Sequence, residues 1–264
     1  MMYARRWAAR LALLVVGMGF LAAGGTAADS KDSVLPDSDY RKLVDYEYKV
    51  LQEAFKDLKA GSDKKAHREQ VRKARAAAAM IATCAQLNLE GAEGQQRATV
   101  RDAALAVADA LGKDKVAEAE KKAEGLLDLK ADPKAKTAPV KIFDAHLDLE
   151  ELMSQFRQKA QGGLGIEKML LDMGTNKKKT IPPAQMSDQL LVTCYQMAVI
   201  AELTKEHTPK KNPKNWGVLT ADFKKYSLEL ADAIKAKEKD GKAAFATLNK
   251  LNSSCTQCHD EYRK

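Results

Sequence analysis

Runs of alternating β-branched and aromatic residues are missing from this 264-residue sequence, and Ala, Leu, Lys and Glu stand in their place. That excludes a sheet protein and predicts an all-α fold. Aromatic residues make up only 6%, which leaves little to stack on bases. Lys and Glu are interspersed along helical stretches, as on solvated helix faces, so nucleic-acid binding is not expected. There is no Ser-His-Asp arrangement, no nucleotide-binding loop and no carboxylate-rich metal cluster, so the chain is not read as an enzyme. Long apolar runs are lacking too. The run from Leu11 to Ala23 covers 13 residues, short of the roughly 20 that cross a bilayer, and a membrane-spanning chain is not expected.

That run has another reading. It follows Arg5, Arg6 and Arg10 and closes on Gly24, Gly25, Thr26, Ala27 and Ala28, the pattern of a secretory signal peptide. Cleavage after Ala28, with Ala27 as the alternative, predicts export to the periplasm or otherwise out of the cytoplasm. No Cys follows the run, so lipidation of the new N-terminus is not expected. Residues 1–28 carry three Arg and no acid, and their removal lowers the formal charge from +8 to +5. A modestly basic chain suits acidic partners.

Helical periodicity runs through the rest. Phe245, Leu248, Leu251, Cys255, Cys258 and Tyr262 recur at steps of three and four, as do Leu219, Phe223, Tyr226, Leu230 and Ile234. Met186, Leu190, Cys194, Met197 and Ala201 form a third stripe, and Ile142, His146, Leu149, Met153 and Phe156 a fourth, ahead of a Gly-Gly-Leu-Gly break at 162–165. Four such helices make an antiparallel bundle. The preceding half offers four more, at about Tyr40–Leu58, His67–Leu89, Thr99–Leu111 and Lys115–Leu129.

The halves resemble each other. Ile81-Ala82-Thr83-Cys84-Ala85-Gln86 matches Leu191-Val192-Thr193-Cys194-Tyr195-Gln196, and Leu105 to Leu111 matches Leu228 to Ile234, in the same order. The expected architecture is two tandem four-helix bundles related by internal duplication. They comprise residues 29–130 and 140–264, joined by a linker at 131–139 in which Pro133 and Pro139 flank a Lys-rich stretch. Chance likeness between Ala-rich helices is the competing reading.

The copies differ at one place. Cys255-Thr256-Gln257-Cys258-His259 has the C-x-x-C-H spacing, in which two thiols add across the haem vinyl groups and the adjacent imidazole reaches the iron. On a helix, positions i, i+3 and i+4 share a face. The first half runs Leu129-Lys130-Ala131-Asp132-Pro133 there, so one haem c is expected, in the second half alone. A thioredoxin-type dithiol would need a βαβ context, structural zinc a second ligand pair, and a local disulfide would leave His259 unexplained.

Cys255-x-x-Cys258-His259-x-x-Tyr262-Arg263, on the last helix of a bundle, resembles the cytochrome c prime family and its low-spin, methionine-ligated relatives. The specific motif covers only the last ten residues, and the resemblance extends over about 140–264. It implies a haem between the first and last helices, with Cys255 and Cys258 as thioether links and His259 as axial ligand. It also implies Arg263 near the haem, and bundles that often pair as homodimers. The stretch from Gly162 to Pro183 is long for a loop of that family, and a haemless preceding copy departs from its pattern.

The other side of the iron decides the role. Met153 as distal ligand would give six-coordinate His/Met iron suited to electron transfer with redox partner proteins. His146 is the alternative ligand. A site lined by Leu149 and Leu152 with no protein ligand would be five-coordinate and take a diatomic gas such as nitric oxide. Met153 as a space-filling core residue is the plain reading. His67 and His207 fall in polar, turn-like surroundings and read as surface residues. Cys84 and Cys194 sit on apolar helix faces, as buried free thiols or as a bridge between the halves.

Overall fold

Helix starts and stops follow the local signals. Asp63 caps the second helix, its carboxylate accepting from the backbone N–H groups of Lys65 and Ala66. Asn212 caps the eighth ahead of Pro213 at its first position. A computed structural model describes residues 35–61, 63–89, 93–161, 163–175, 184–207, 209–236 and 241–263. The segment read as a signal peptide, residues 1–28, lies outside the described residues.

The first half contains α1 (Asp37–Lys59), α2 (Lys64–Gln86), α3 (Gly94–Gly112) and α4 (Val116–Ala123). The second contains α5 (Leu149–Ser154), α6 (Ile166–Gly174), α7 (Ala184–Lys205), α8 (Pro213–Lys235) and α9 (Lys242–Tyr262). No strand occurs among the described residues; the only pairing is one isolated bridge between Phe143 and Leu147. None of the described helices is long and apolar enough to cross a membrane. The fold is all-α.

α2 and α7 are the central helices. Every residue from Ala76 to Ala85 is buried, and so is every residue from Thr193 to Ala201, which a helix tolerates only when neighbours cover all its sides. Both carry the matched block, and both use it alike. Thr83 donates its hydroxyl to the carbonyl of Ala79 at 2.8 Å, and Thr193 donates to that of Gln189 at 2.9 Å. Cys84 and Cys194 are buried and free, each thiol pushed well above its ordinary pKa by burial, Cys84 further by the nearby Glu47. A chain with Cys255→Ser and Cys258→Ser is therefore expected to show no reactive thiol towards a disulfide reagent when native and two after denaturation, read by absorbance.

The first helix of the second half departs from its expected stripe. Ile142 to Phe156 is not one helix; α5 covers only Leu149–Ser154. Asp144 turns the chain at φ 61°. Asp148 then starts the helix with a capping box, accepting from the backbone N–H of Glu151 at 2.7 Å while the Glu151 carboxylate accepts from its own. After Ser154 the chain folds tightly over itself. A Cβ on Gly163 would stand 2.2 Å from the Arg157 carbonyl oxygen, so only glycine fits there. The stretch read as a long loop from Gly162 to Pro183 contains α6. In the first half, Gly125 at φ 64° ends α4 early, leaving a 3-10 turn at Leu126–Asp128.

The connecting segment is irregular, as its prolines predict, and it is pinned onto α3. Gln95 donates to the carbonyls of Asp132 and Ala135, and the fully buried Arg101 donates to those of Lys136 and Ala138 at 2.6 and 2.8 Å. Further bonds join the halves directly: Gln196 donates to Glu47 at 2.7 Å and Arg75 pairs with Glu151 at 2.7 Å.

Candidate haem site

α9 buries Ala244, Leu248, Leu251 and Ser254 along one stripe, and the motif continues that stripe where cover from neighbouring helices thins out. Cys255 and Cys258 are half-buried and unpaired, and His259 is exposed. Burial, the adjacent Cys258 and the negative charge of Glu167 push the Cys255 thiol up to about 11; burial and then Glu261 raise that of Cys258. The His259 imidazole forms no hydrogen bond or ion pair among the described residues. No three His, Cys, Asp or Glu side chains converge as a metal cluster among the described residues.

Two free, half-covered thiols one helical turn apart, followed by an uncommitted imidazole on the same helix end, are a donor set that fits covalent haem. Cys255 and Cys258 would hold it and His259 would ligate its iron.

The end of α9 is fixed from α8. The Glu261 carboxylate accepts from the side-chain amides of Asn212 and Asn215, Tyr262 donates its hydroxyl to the Asn212 carbonyl at 2.7 Å, and Lys211 donates to the Glu261 carbonyl at 2.8 Å. Trp216 packs its ring edge-on against Tyr262, with centroids 5.0 Å apart, while its indole N–H donates to the Thr204 carbonyl. His207 is wedged between Trp216 and Phe143 at 5.3 and 5.5 Å. It is therefore a packed, half-buried residue and not the surface residue its polar sequence context suggested: the bend after α7 folds the ring back under Trp216. His67 lies at the surface, 2.9 Å from Asp114.

Against the motif's helix stand α6 and α8. Glu167, in the first turn of α6, is the carboxylate near Cys255, and Gly174 at the end of α6 lies against Leu248. The Glu167 N–H donates to the Phe156 carbonyl, and the Phe156 ring packs on Phe223 of α8 with centroids 6.2 Å apart. Met153 is one turn before Phe156, partly buried against the core. The two distal candidates thus part company. The Met153 carbonyl accepts from the backbone N–H of Phe156 and its side chain makes no ion pair among the described residues, whereas His146 precedes α5 in a turn and its Nδ1 lies 2.6 Å from Asp109 of α3, in the first half. Leu152 is buried in the core and Leu149 partly so. Arg263 is exposed at the end of α9, its backbone N–H donating to the His259 carbonyl.

No protein-family model, no curated protein and no solved structure matches the chain.

Sequence reasoning overlooked Glu167 and the clamp on the last turn. The signals were present. Ile166, Met169, Leu170 and Met173 follow the Gly-rich break at helical spacing, and Asn212-Pro213 announces the start that brings Trp216 under Tyr262.

Proposed function

We propose that the chain is an exported monohaem c-type cytochrome of cytochrome c prime kind that carries electrons and does no catalysis of its own. The observation that supports it most is the state of the motif: two unpaired, half-buried thiols and a free imidazole on the last turns of a helix whose end is clamped in place. The haem would supply one-electron chemistry. This chain's residues would attach it through Cys255 and Cys258, ligate it through His259, and orient it by holding α9 against α8. Met153 is the proposed sixth ligand, favoured over His146 because the latter ring is engaged with Asp109.

The first half is proposed to be a duplicated copy that lacks haem. The identical use of Thr83 and Thr193, and the burial of Cys84 and Cys194 at matching positions, support common descent. Its part would be to brace the haem-bearing half, through the Glu47–Gln196 and Arg75–Glu151 links.

The test is the chain expressed with its own N-terminal segment in a host that matures c-type cytochromes. The expected product has the mass of residues 29–264 plus one haem, and its reduced form has a sharp α band unmoved by carbon monoxide. Met153→Leu should broaden that band and make it respond to carbon monoxide. A wild-type spectrum that shifts with carbon monoxide would replace the electron carrier by a five-coordinate, gas-binding protein.

A further inference from the structure

A concavity of about 400 Å³ opens on the surface where α2 meets the chain just after α5, lined by Lys64, Lys65, Arg68, Glu69, Arg72 and Arg157. Five of the six residues are cations. Arg72 is partly neutralised by Glu150 at 3.3 Å, but Lys64, Lys65, Arg68 and Arg157 make no ion pair among the described residues and are all exposed. Glu69 is the one carboxylate in the lining and Asp63 lies near Lys65, so the groove keeps a net positive charge, contributed by both halves.

Two further features narrow its use. Lys64, Arg68 and Arg72 recur every fourth residue, a row about 12 Å long with one charge per helical turn. Such a row meets several carboxylates spread along a surface. It does not converge on one point, as a pocket for a single phosphate would. A short relay of contacts also links the groove to the candidate haem site. Arg157 follows Phe156, whose ring packs on Phe223 and whose carbonyl accepts from Glu167, the residue near Cys255.

We propose that this groove is the docking surface for the acidic face of a protein electron donor or acceptor. The proposal rests on the cytochrome reading above and names the partner chemistry of that site. Opposite charge steers encounter and fixes orientation, and Arg157 would place the partner next to Phe156, whose carbonyl is bonded to Glu167 beside Cys255.

The experiment is voltammetry of the holoprotein on gold coated with a carboxylate-terminated monolayer, a stand-in for an acidic protein face. At low salt the wild type should adsorb and exchange electrons. Lys64→Glu/Arg68→Glu should lower the exchange rate about tenfold or more, and the milder Lys64→Gln/Arg68→Gln should lower it less. Lys121→Glu/Lys122→Glu on α4, which changes net charge equally, should leave the rate near wild type. Helical circular dichroism checks that each variant is folded. Equal losses in the two Glu variants, or none in the groove variant, would overturn the docking surface while leaving a working cytochrome. Groove-dependent binding to phosphatidylglycerol vesicles, with electrode exchange unaffected, would also overturn it and make the groove a membrane contact. Absence of any haem wave in every form would instead overturn the cytochrome reading itself.

Discussion

Cys255→Ser/Cys258→Ser is expected to yield an exported, folded protein without covalent haem: haem staining after denaturing electrophoresis falls from full to none, while the helical circular dichroism signal stays. Covalent attachment is through the two sulfurs, and any haem held by the His259 imidazole alone would be stripped away by denaturation. The fold should tolerate the change because the two thiols stand where α9 is only half covered, and substitutions there cost about 1 kcal/mol or less. The end of α9 is held by Glu261 on Asn212 and Asn215, by Tyr262 on Asn212 and by Trp216, none of which involves sulfur. Cys84→Ser/Cys194→Ser should behave in the opposite way. Staining persists, but stability falls, since each new hydroxyl is enclosed in a core position and costs about 1–3 kcal/mol unless it finds an acceptor. Staining that survives the first pair, or vanishes with the second, would mean that haem is attached elsewhere or not by thioethers.

Long helices were legible because their signals are local. The stripes through Leu219 to Ile234 and Phe245 to Tyr262 lie within α8 and α9, whose observed ends fall at Asn212-Pro213 and at Gly241. The stripe from Ile142 to Phe156 failed because periodicity does not reveal what competes with it. Leu149, Met153 and Phe156 keep helical spacing, yet Asp144 at positive φ and the Asp148 capping box decide where the helix begins. The motif triplet could be read from spacing alone. Its surroundings could not, since Glu167 of α6 and Asn212, Trp216 and Phe223 of α8 and its cap come from two separate segments and acquire meaning only through tertiary packing. The same limit hid the basic groove. Lys64, Arg68 and Arg72 look like an ordinary solvated face until Arg157, 85 residues beyond Arg72, is placed across from them. It also hid Arg101, a charged residue in the core whose purpose is to hold the connecting segment on α3.

Stability should fall as pH rises from about 4.5 to 7, and Glu47→Gln should abolish that fall. Glu47 is fully enclosed between α1, α2 and α7; Gln196 donates to one of its oxygens, and the other has no partner. Burial, the dominant cause, pushes its carboxyl from 4.5 up to about 7, against the opposing pull of the Gln196 hydrogen bond and of the positive charge of Lys73. Tyr46 on its own helix and the Cys84 thiol on α2 also face it, each held in its neutral form by burial first and by Glu47 second. Below pH 4.5 Glu47 is protonated in both states and its contribution is fully present. Between 4.5 and 7 the unfolded chain ionises while the folded one keeps its proton, so stability is lost, and above 7 both are ionised and the loss levels off. A rise of this size corresponds to about 3 kcal/mol. The amide of Glu47→Gln places an unpartnered N–H where the neutral acid places an unpartnered O–H, so the two proteins should be nearly equal at pH 5, and the variant should be the more stable by about 2–3 kcal/mol at pH 8. Urea midpoints at the two pH values measure this directly. A wild-type midpoint that does not decrease between pH 5 and 8, or a variant that decreases as much, would show that Glu47 is already ionised in the folded protein.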